Sequence, residues 1–258
     1  MSTSLSLSQA ASYDLEATSQ RDAGLAMIER LDIQKGSTIL DLGCGTGALT
    51  KVLAEKVGAE GKVVAVDPDG ERLQVAREKY SASNIEYVQA NDKTFPVTSL
   101  YDLVFCNATI HWISDKSGLF SRVHDCLRSG GRFAFTTPDG SLLIPAIGRK
   151  LFDKLLGPQF LYRMHNEVKT YLTADVYRSM SSLTGFEITS VEMENLRPQW
   201  RNLDHYITAM HGWFGGEFDP AQFDSDALQQ LKSEYGDGPV VQMDPIKKLE
   251  IVLTKLTR

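Results

Sequence analysis

Cysteine, positive charge and long apolar runs are all scarce in this sequence of 258 residues. Its three cysteines, Cys44, Cys106 and Cys126, are too few and too scattered for a disulfide framework. Together with five histidines they form no ligand spacing for a metal, so no metal is expected. Lysine and arginine number 27 against 33 aspartates and glutamates, a formal net charge of -6. That balance argues against general affinity for nucleic-acid phosphates or anionic lipid. No apolar stretch approaches the roughly 20 residues that span a bilayer. The opening MSTSLSLSQAAS has neither the basic start nor the continuous apolar core of a secretory signal. A cytoplasmic chain with no nucleic-acid and no membrane partner is the expectation. Repeats are absent, and low complexity is confined to the serine-rich start, read as a flexible tail and cap over 1–20.

What is present is an alternation. Helical spacing over Ala23–Leu31 precedes an apolar run at about 38–42, and a helical pattern follows with Leu49, Val52, Leu53 and Val57. KVVAVDPDG reads as a second strand ending at Asp67, NIEYVQAND as a third, YDLVFCNA as a fourth and GRFAFTTP as a fifth. The segment Asp115–Arg128 reads as a helix that Gly130-Gly131 ends. Strands separated by helices imply βαβ units and a parallel sheet. Later, Ile147, Leu151 and Leu155 mark one helix, and Val176, Met180 and Leu183 mark another before Gly185. GFEITSVEME is a sixth strand whose alternation shifts phase near Ser190, as at a bulge. KLEIVLTKL is a last strand with Leu249, Ile251 and Leu253 on one face. About fifty residues separate these two strands, far more than a hairpin needs. This aromatic-rich helical stretch, 198–243, reads as a lid on a core formed by 21–197 and 244–258.

The chemistry begins at ILDLGCGTGALT, Ile39–Thr50. A strand runs into a turn with glycines at every second position and then into a helix, with Thr46 at the expected N-cap. Such a turn lets a ligand lie against main-chain amides. The spacing Gly43, Gly45, Gly47 differs from the G-x-G-x-x-G of dinucleotide enzymes, and no phosphate lysine follows. No Tyr-x-x-x-Lys pair accompanies it, which argues against a dehydrogenase. Asp41 stands two residues ahead of the glycines, and Asp67 ends the next strand, where a carboxylate can accept from both hydroxyls of a ribose.

These residues resemble motif I of the class I S-adenosylmethionine-dependent methyltransferases. The resemblance implies an α/β, Rossmann-like fold with a seven-stranded, mostly parallel sheet, helices on both faces and the last strand antiparallel. It implies S-adenosyl-L-methionine as cofactor. Asp41, Gly43, Cys44, Gly45 and Gly47 would cradle its methionine part, and Asp67 with Pro68 its ribose. Asn91 or Asp92 would meet the adenine, and Asn107 would complete the site after the fourth strand. The stretch FCNATIHWISD resembles the segment of trans-aconitate methyltransferases and juvenile hormone acid methyltransferases, which act on carboxylic acids. By that likeness His111 is the candidate catalytic residue, as base or as orienting group, and Trp112 a wall. Tyr13 and Gln20 match the same group in outline.

Trp200, Tyr206, His211 and Trp213 are candidates to line an acceptor pocket from the lid, with Gly215-Gly216 as its hinge. The leading expectation is methyl transfer to a small-molecule carboxylic acid, which is already ionised and needs no base. N-, S- or C-methylation of a small metabolite is the alternative, and a non-catalytic cofactor-binding protein a further one. An Asn/Asp-Pro-Pro-aromatic motif is absent after the fourth strand, which disfavours nucleic-acid methylation.

Overall fold

Three short runs, 39–42, 63–66 and 103–106, apolar throughout except for Asp41, pair as parallel neighbours, and both of their faces are covered. The structure is a computed structural model that describes residues 18–97, 100–140, 146–164, 170–196, 199–213, 217–241 and 246–256. The chain order begins α1 (Thr18–Arg30), β1 (Thr38–Leu42), α2 (Ala48–Val57), β2 (Lys62–Asp67), α3 (Gly70–Tyr80), β3 (Ile85–Gln89) and β4 (Tyr101–Asn107). A 3₁₀ turn at Ile110–Trp112 leads to α4 (Lys116–Cys126), β5 (Leu127–Pro138), α5 (Ala146–Leu156), α6 (Pro158–Arg163), α7 (Ala174–Leu183) and β6 (Phe186–Leu196). The insertion holds β7 (Gln199–Trp200), α8 (Leu203–Trp213), α9 (Ser225–Tyr235) and β8 (Val240–Val241), and β9 (Ile246–Lys255) closes the fold.

The seven-stranded sheet runs β3-β2-β1-β4-β5-β9-β6, with β9 antiparallel to both its neighbours. Strand order reverses between β1 and β4, so a crevice opens at their carboxyl ends. Alternate residues feed two cores. Leu40, Leu42, Val64 and Val104 face Phe120 of α4 and Tyr177 of α7, whereas Ile39, Val63, Leu103 and Phe105 face Met27 and Ile28 of α1 and Leu53 of α2. Helices therefore cover both faces, as expected. On the far side, Arg30 of α1 holds the buried Glu250 of β9 by two hydrogen bonds, from Nε and Nη2, and reaches Glu192 of β6 at 3.6 Å. A third cluster joins Leu151, Phe152, Phe160 and Met164 of α5–α6 to Trp200, Tyr206, Phe218 and Leu231 of the insertion.

Several local expectations change. The N-cap of α2 is Gly47 at φ 86°, not Thr46, and no side chain caps the helix. A Cβ at Gly47 would lie 2.8 Å from the Tyr87 hydroxyl and 2.9 Å from Ala76 Cβ, so close packing under α3 claims the cap position for glycine. Helix α4 ends at Cys126, not at Arg128, because Lys255 of β9 donates to the carbonyls of His124 and Leu127 at 2.7 and 2.8 Å. Gly130-Gly131 then fall inside β5, where the register against β4 slips between Tyr101 and Leu103. The expected shift in β6 is present, between Ile188 and Ser190. Leu249, Ile251 and Leu253 of β9 are all buried in one core.

Of the three residues that mark the apolar face of α7, only Met180 packs against the core. Val176 and Leu183 are exposed, the latter 86%, and Tyr177 and Ser181 are buried. The Tyr177 ring packs 5.0 Å from Phe135 and stacks at 6.4 Å on Phe120. Ser181 can follow it inward because its hydroxyl donates to the Tyr177 carbonyl at 2.7 Å. Chemical denaturation should therefore show Tyr177→Ala losing roughly 3–5 kcal/mol. Leu183→Gln should stay within roughly 0.5 kcal/mol of the parent.

Candidate functional site

Parallel strands β1, β2 and β4 end side by side, and their terminal residues open into one cavity of about 340 Å³. Asp41, Gly43, Cys44 and Gly45 line it from the end of β1 and its loop, Asp67 and Pro68 from the end of β2, and Asn107 and Thr109 from the end of β4 and the turn after it. Gly43 and Cys44 both donate their amides to the Val66 carbonyl, at 2.8 and 2.9 Å, which curls the loop over β2. The three glycines of the motif all have positive φ. A Cβ at Gly43 would come within 2.3 Å of the Thr109 hydroxyl, so the turn after β4 approaches there too closely for any side chain. At Gly45 (φ 55°) a Cβ would meet nothing within 4 Å, which leaves that backbone bare toward the cavity.

Two carboxylates dominate the electrostatics. Asp41 is buried and accepts from the Thr50 hydroxyl of α2 at 2.6 Å. Burial, with the Asp67 charge added, pushes its pKa up to about 7 despite that hydrogen bond. Asp67 accepts from Gly45 N at 2.9 Å and Asp69 N at 3.0 Å, and burial raises its pKa as well. Two crowded, poorly solvated carboxylates beside a bare glycine backbone suit a ligand with positive charge and ribose hydroxyls. The amino-acid and nucleoside parts of a sulfonium cofactor meet both requirements, so Asp41, the glycine loop and Asp67 could hold it.

The remaining expected residues fall into three groups. Gln20 and Trp112 also line the cavity, and the Asn107 amide donates to the Gln20 carbonyl at 3.1 Å while accepting from Thr136 at 2.7 Å. Asn107 thus ties α1 to the sheet at the cavity. Ala108 beside it has φ 50°, a strained angle held by amide bonds to Thr136. Asn91 and Asp92 are not among the cavity-lining residues. The Asn91 side-chain oxygen accepts from Lys93 N and Thr94 N of its own turn. His111 is buried, stacks on Tyr171 at 5.4 Å and sets Nδ1 3.5 Å from the Thr137 hydroxyl, so it too stands apart from the lining.

Trp200 and Tyr206 meet edge to face at 4.6 Å inside the third cluster, and His211 packs against Phe218 there. Packing is what the structure shows for these three. Tyr13, the Trp213 side chain and Gly215-Gly216 lie outside the described residues. Eight lining residues stand outside the expected site: Arg21, Thr46, Ala48, Leu49, Asp69, Arg72, Ala108 and Thr109. Asp69 carried a signal, because DPDG places it as an N-cap, and it caps α3 through Glu71 N and Arg72 N.

The family described as a methyltransferase domain matches residues 33–208, and the chain belongs to it. Its class uses S-adenosylmethionine as methyl donor. Among relatives, malonyl-[acyl-carrier protein] O-methyltransferase of Acetivibrio thermocellus is 33% identical over 50% of this chain and 46% of its own length. Trans-aconitate 2-methyltransferase of Rhizobium etli is 33% identical over 52% of the chain and 50% of its own length. The chain therefore spans about half the length of these curated relatives. A ubiquinone/menaquinone biosynthesis C-methyltransferase of Pseudoalteromonas translucida is 30% identical over 70% of the chain and 75% of its length. The solved YcgJ protein of Bacillus subtilis shares the fold, with a TM-score of 0.64 at 16% identity over 92% of this chain and all of that one.

Asp41 sets a pH dependence. Its folded pKa lies above the unfolded carboxylate value, so its contribution to the cofactor-free fold is complete below about 4 and lost as pH rises through about 7. Asp41→Asn should therefore raise the melting temperature of the cofactor-free protein more at pH 8 than at pH 5.5. Titration calorimetry of the parent should show S-adenosylmethionine gaining on S-adenosylhomocysteine from pH 6 to 8, as the carboxylate that favours the sulfonium ionises.

Proposed function

We propose that the chain transfers a methyl group from S-adenosylmethionine to a carboxylate oxygen of a small organic acid, giving a methyl ester. The observation that carries this reading is the arrangement at Ile110–Trp112: Trp112 faces the cavity, whereas His111 is turned inward against Tyr171 and Thr137. A nucleophile that must lose a proton is poorly served by such a histidine. A carboxylate is already ionised at neutral pH and needs only alignment and exclusion of water. The names of two relatives, which act on trans-aconitate and on a malonyl thioester, support the same acceptor chemistry.

Within this reading the bound cofactor supplies an electrophilic methyl on its sulfonium. Asp41 and Asp67 favour that cation and the ribose, the backbone at Gly45 lets it lie flat against the loop, and Trp112 walls the acceptor side. The stretch 198–243 enters as the acceptor-side cover. Its support is that α8 and α9 share one hydrophobic core with α5 and α6, the helices that follow the carboxyl end of β5. Carbon methylation is the second reading, favoured by the longer match to the C-methyltransferase.

The test uses labelled S-adenosylmethionine with separate pools of carboxylic acids, amines, thiols and quinols. Label that enters the acid pool and is released as methanol by mild base identifies a methyl ester. Base-stable label in the quinol pool would replace this reading with the second. On an acid acceptor, His111→Asn should keep much of the rate, and the parent should lack a pH limb near about 6.5, the ordinary histidine value. A limb there that the substitution abolishes would make His111 a base.

A further inference from the structure

The cavity holds charges of both signs, and they are not evenly matched. Asp41 and Asp67 line it, and Asp69 and Arg72, also in the lining, pair with each other at 3.3 Å. Arg21, in the first turns of α1, is exposed at the cavity and makes no hydrogen bond or ion pair among the described residues. Its helix is not adrift, because the carbonyl of the preceding residue, Gln20, is held by Asn107 at the end of β4. A tethered stretch of backbone thus places an arginine with no ion pair among the described residues in the lining of the same cavity as the two acids.

The ligands of this cavity call for such a group. The methyl donor is an amino acid as well as a sulfonium. Its ammonium and sulfonium suit the acids, but its carboxylate is repelled by them and needs a cation. An acid acceptor approaching the methyl brings the same need. Guanidinium meets carboxylate through two parallel hydrogen bonds, which orients as well as attracts. We propose that Arg21 is the carboxylate anchor of the cavity, gripping either the carboxylate of the cofactor's amino-acid part or that of an acid acceptor. The acceptor branch rests on the function proposed above, and the cofactor branch does not.

Calorimetric titration of the full chain with S-adenosylhomocysteine and with 5′-methylthioadenosine, which lacks the amino-acid part, separates the two sources. If the cofactor supplies the carboxylate, Arg21→Ala should weaken S-adenosylhomocysteine about ten-fold or more and leave 5′-methylthioadenosine within about two-fold. Arg21→Lys should recover part of the loss. If the acceptor supplies it, both affinities should hold, and KM for the acids that the parent methylates should rise about ten-fold with kcat changed less. An unchanged melting temperature certifies the fold, which is expected for an exposed side chain. Unchanged S-adenosylhomocysteine affinity, with unchanged KM on every acid methylated or with no acid methylated, overturns the assignment. Loss of S-adenosylhomocysteine affinity in a protein that methylates no acid would instead leave Arg21 in place and remove only the acceptor reading.

Discussion

Two carboxylates held out of water at the ends of adjacent parallel strands set the terms for the rest of the molecule. Asp41 and Asp67 repel each other, and each is costly to bury as an anion. What makes the arrangement tenable is local. A hydroxyl from α2 serves one carboxylate, and two backbone amides from the loops after β1 and β2 serve the other. The Gly45 amide is available because the glycine turn adopts angles that other residues resist. The same turn leaves the cavity wall bare. The fit to a cationic cofactor and the expected pH dependence both follow from that one compromise.

The frame around this compromise is built to keep three strand ends level. Parallel pairing of β1 with β2 and β4 brings Asp41, Asp67 and Asn107 to one rim. The aromatic core of Phe120, Phe133, Phe135 and Tyr177 stiffens the sheet from one side. On the other face, α1 is fixed twice. Its early residue Gln20 is tied to Asn107, and its last residue, Arg30, to the buried Glu250. A helix pinned at both ends can serve as a wall of the site rather than as a loose cover. This is the physical basis for giving Arg21 a role.

Methyl transfer by displacement asks little acid–base chemistry of a protein when the nucleophile is already an anion. The cavity fits that economy. It is lined by charges of both signs, by Trp112 and by a tied N-terminal helix, while the histidine of the fourth-strand motif is packed among Tyr171 and Thr137. The relatives divide between oxygen and carbon acceptors, which agrees with a shared donor site and divergent acceptor surroundings.

The sequence by itself determined the donor half of the protein. Apolar runs of strand length, glycines at fixed spacing and acids at strand ends are local signals, and each constrains the backbone within a few residues. The succession of strands along the chain and the bulge in β6 were legible for the same reason, whereas the antiparallel last strand was implied by the family resemblance and the order within the sheet came from the structure. The tertiary structure alone decided which way side chains with two competing neighbours would turn. Tyr177 displaced Val176 and Leu183 from the core because aromatic partners from β5 and α4 were waiting for it. Lys255 ended α4 from 129 residues away. Trp200 and Tyr206 became core because α5 and α6 offered them apolar surface, and Arg21 reached the cavity because Asn107 caught the turn beside it. None of these outcomes is written in local spacing, since each depends on contacts between residues far apart in the chain, and only the folded chain brings those partners together.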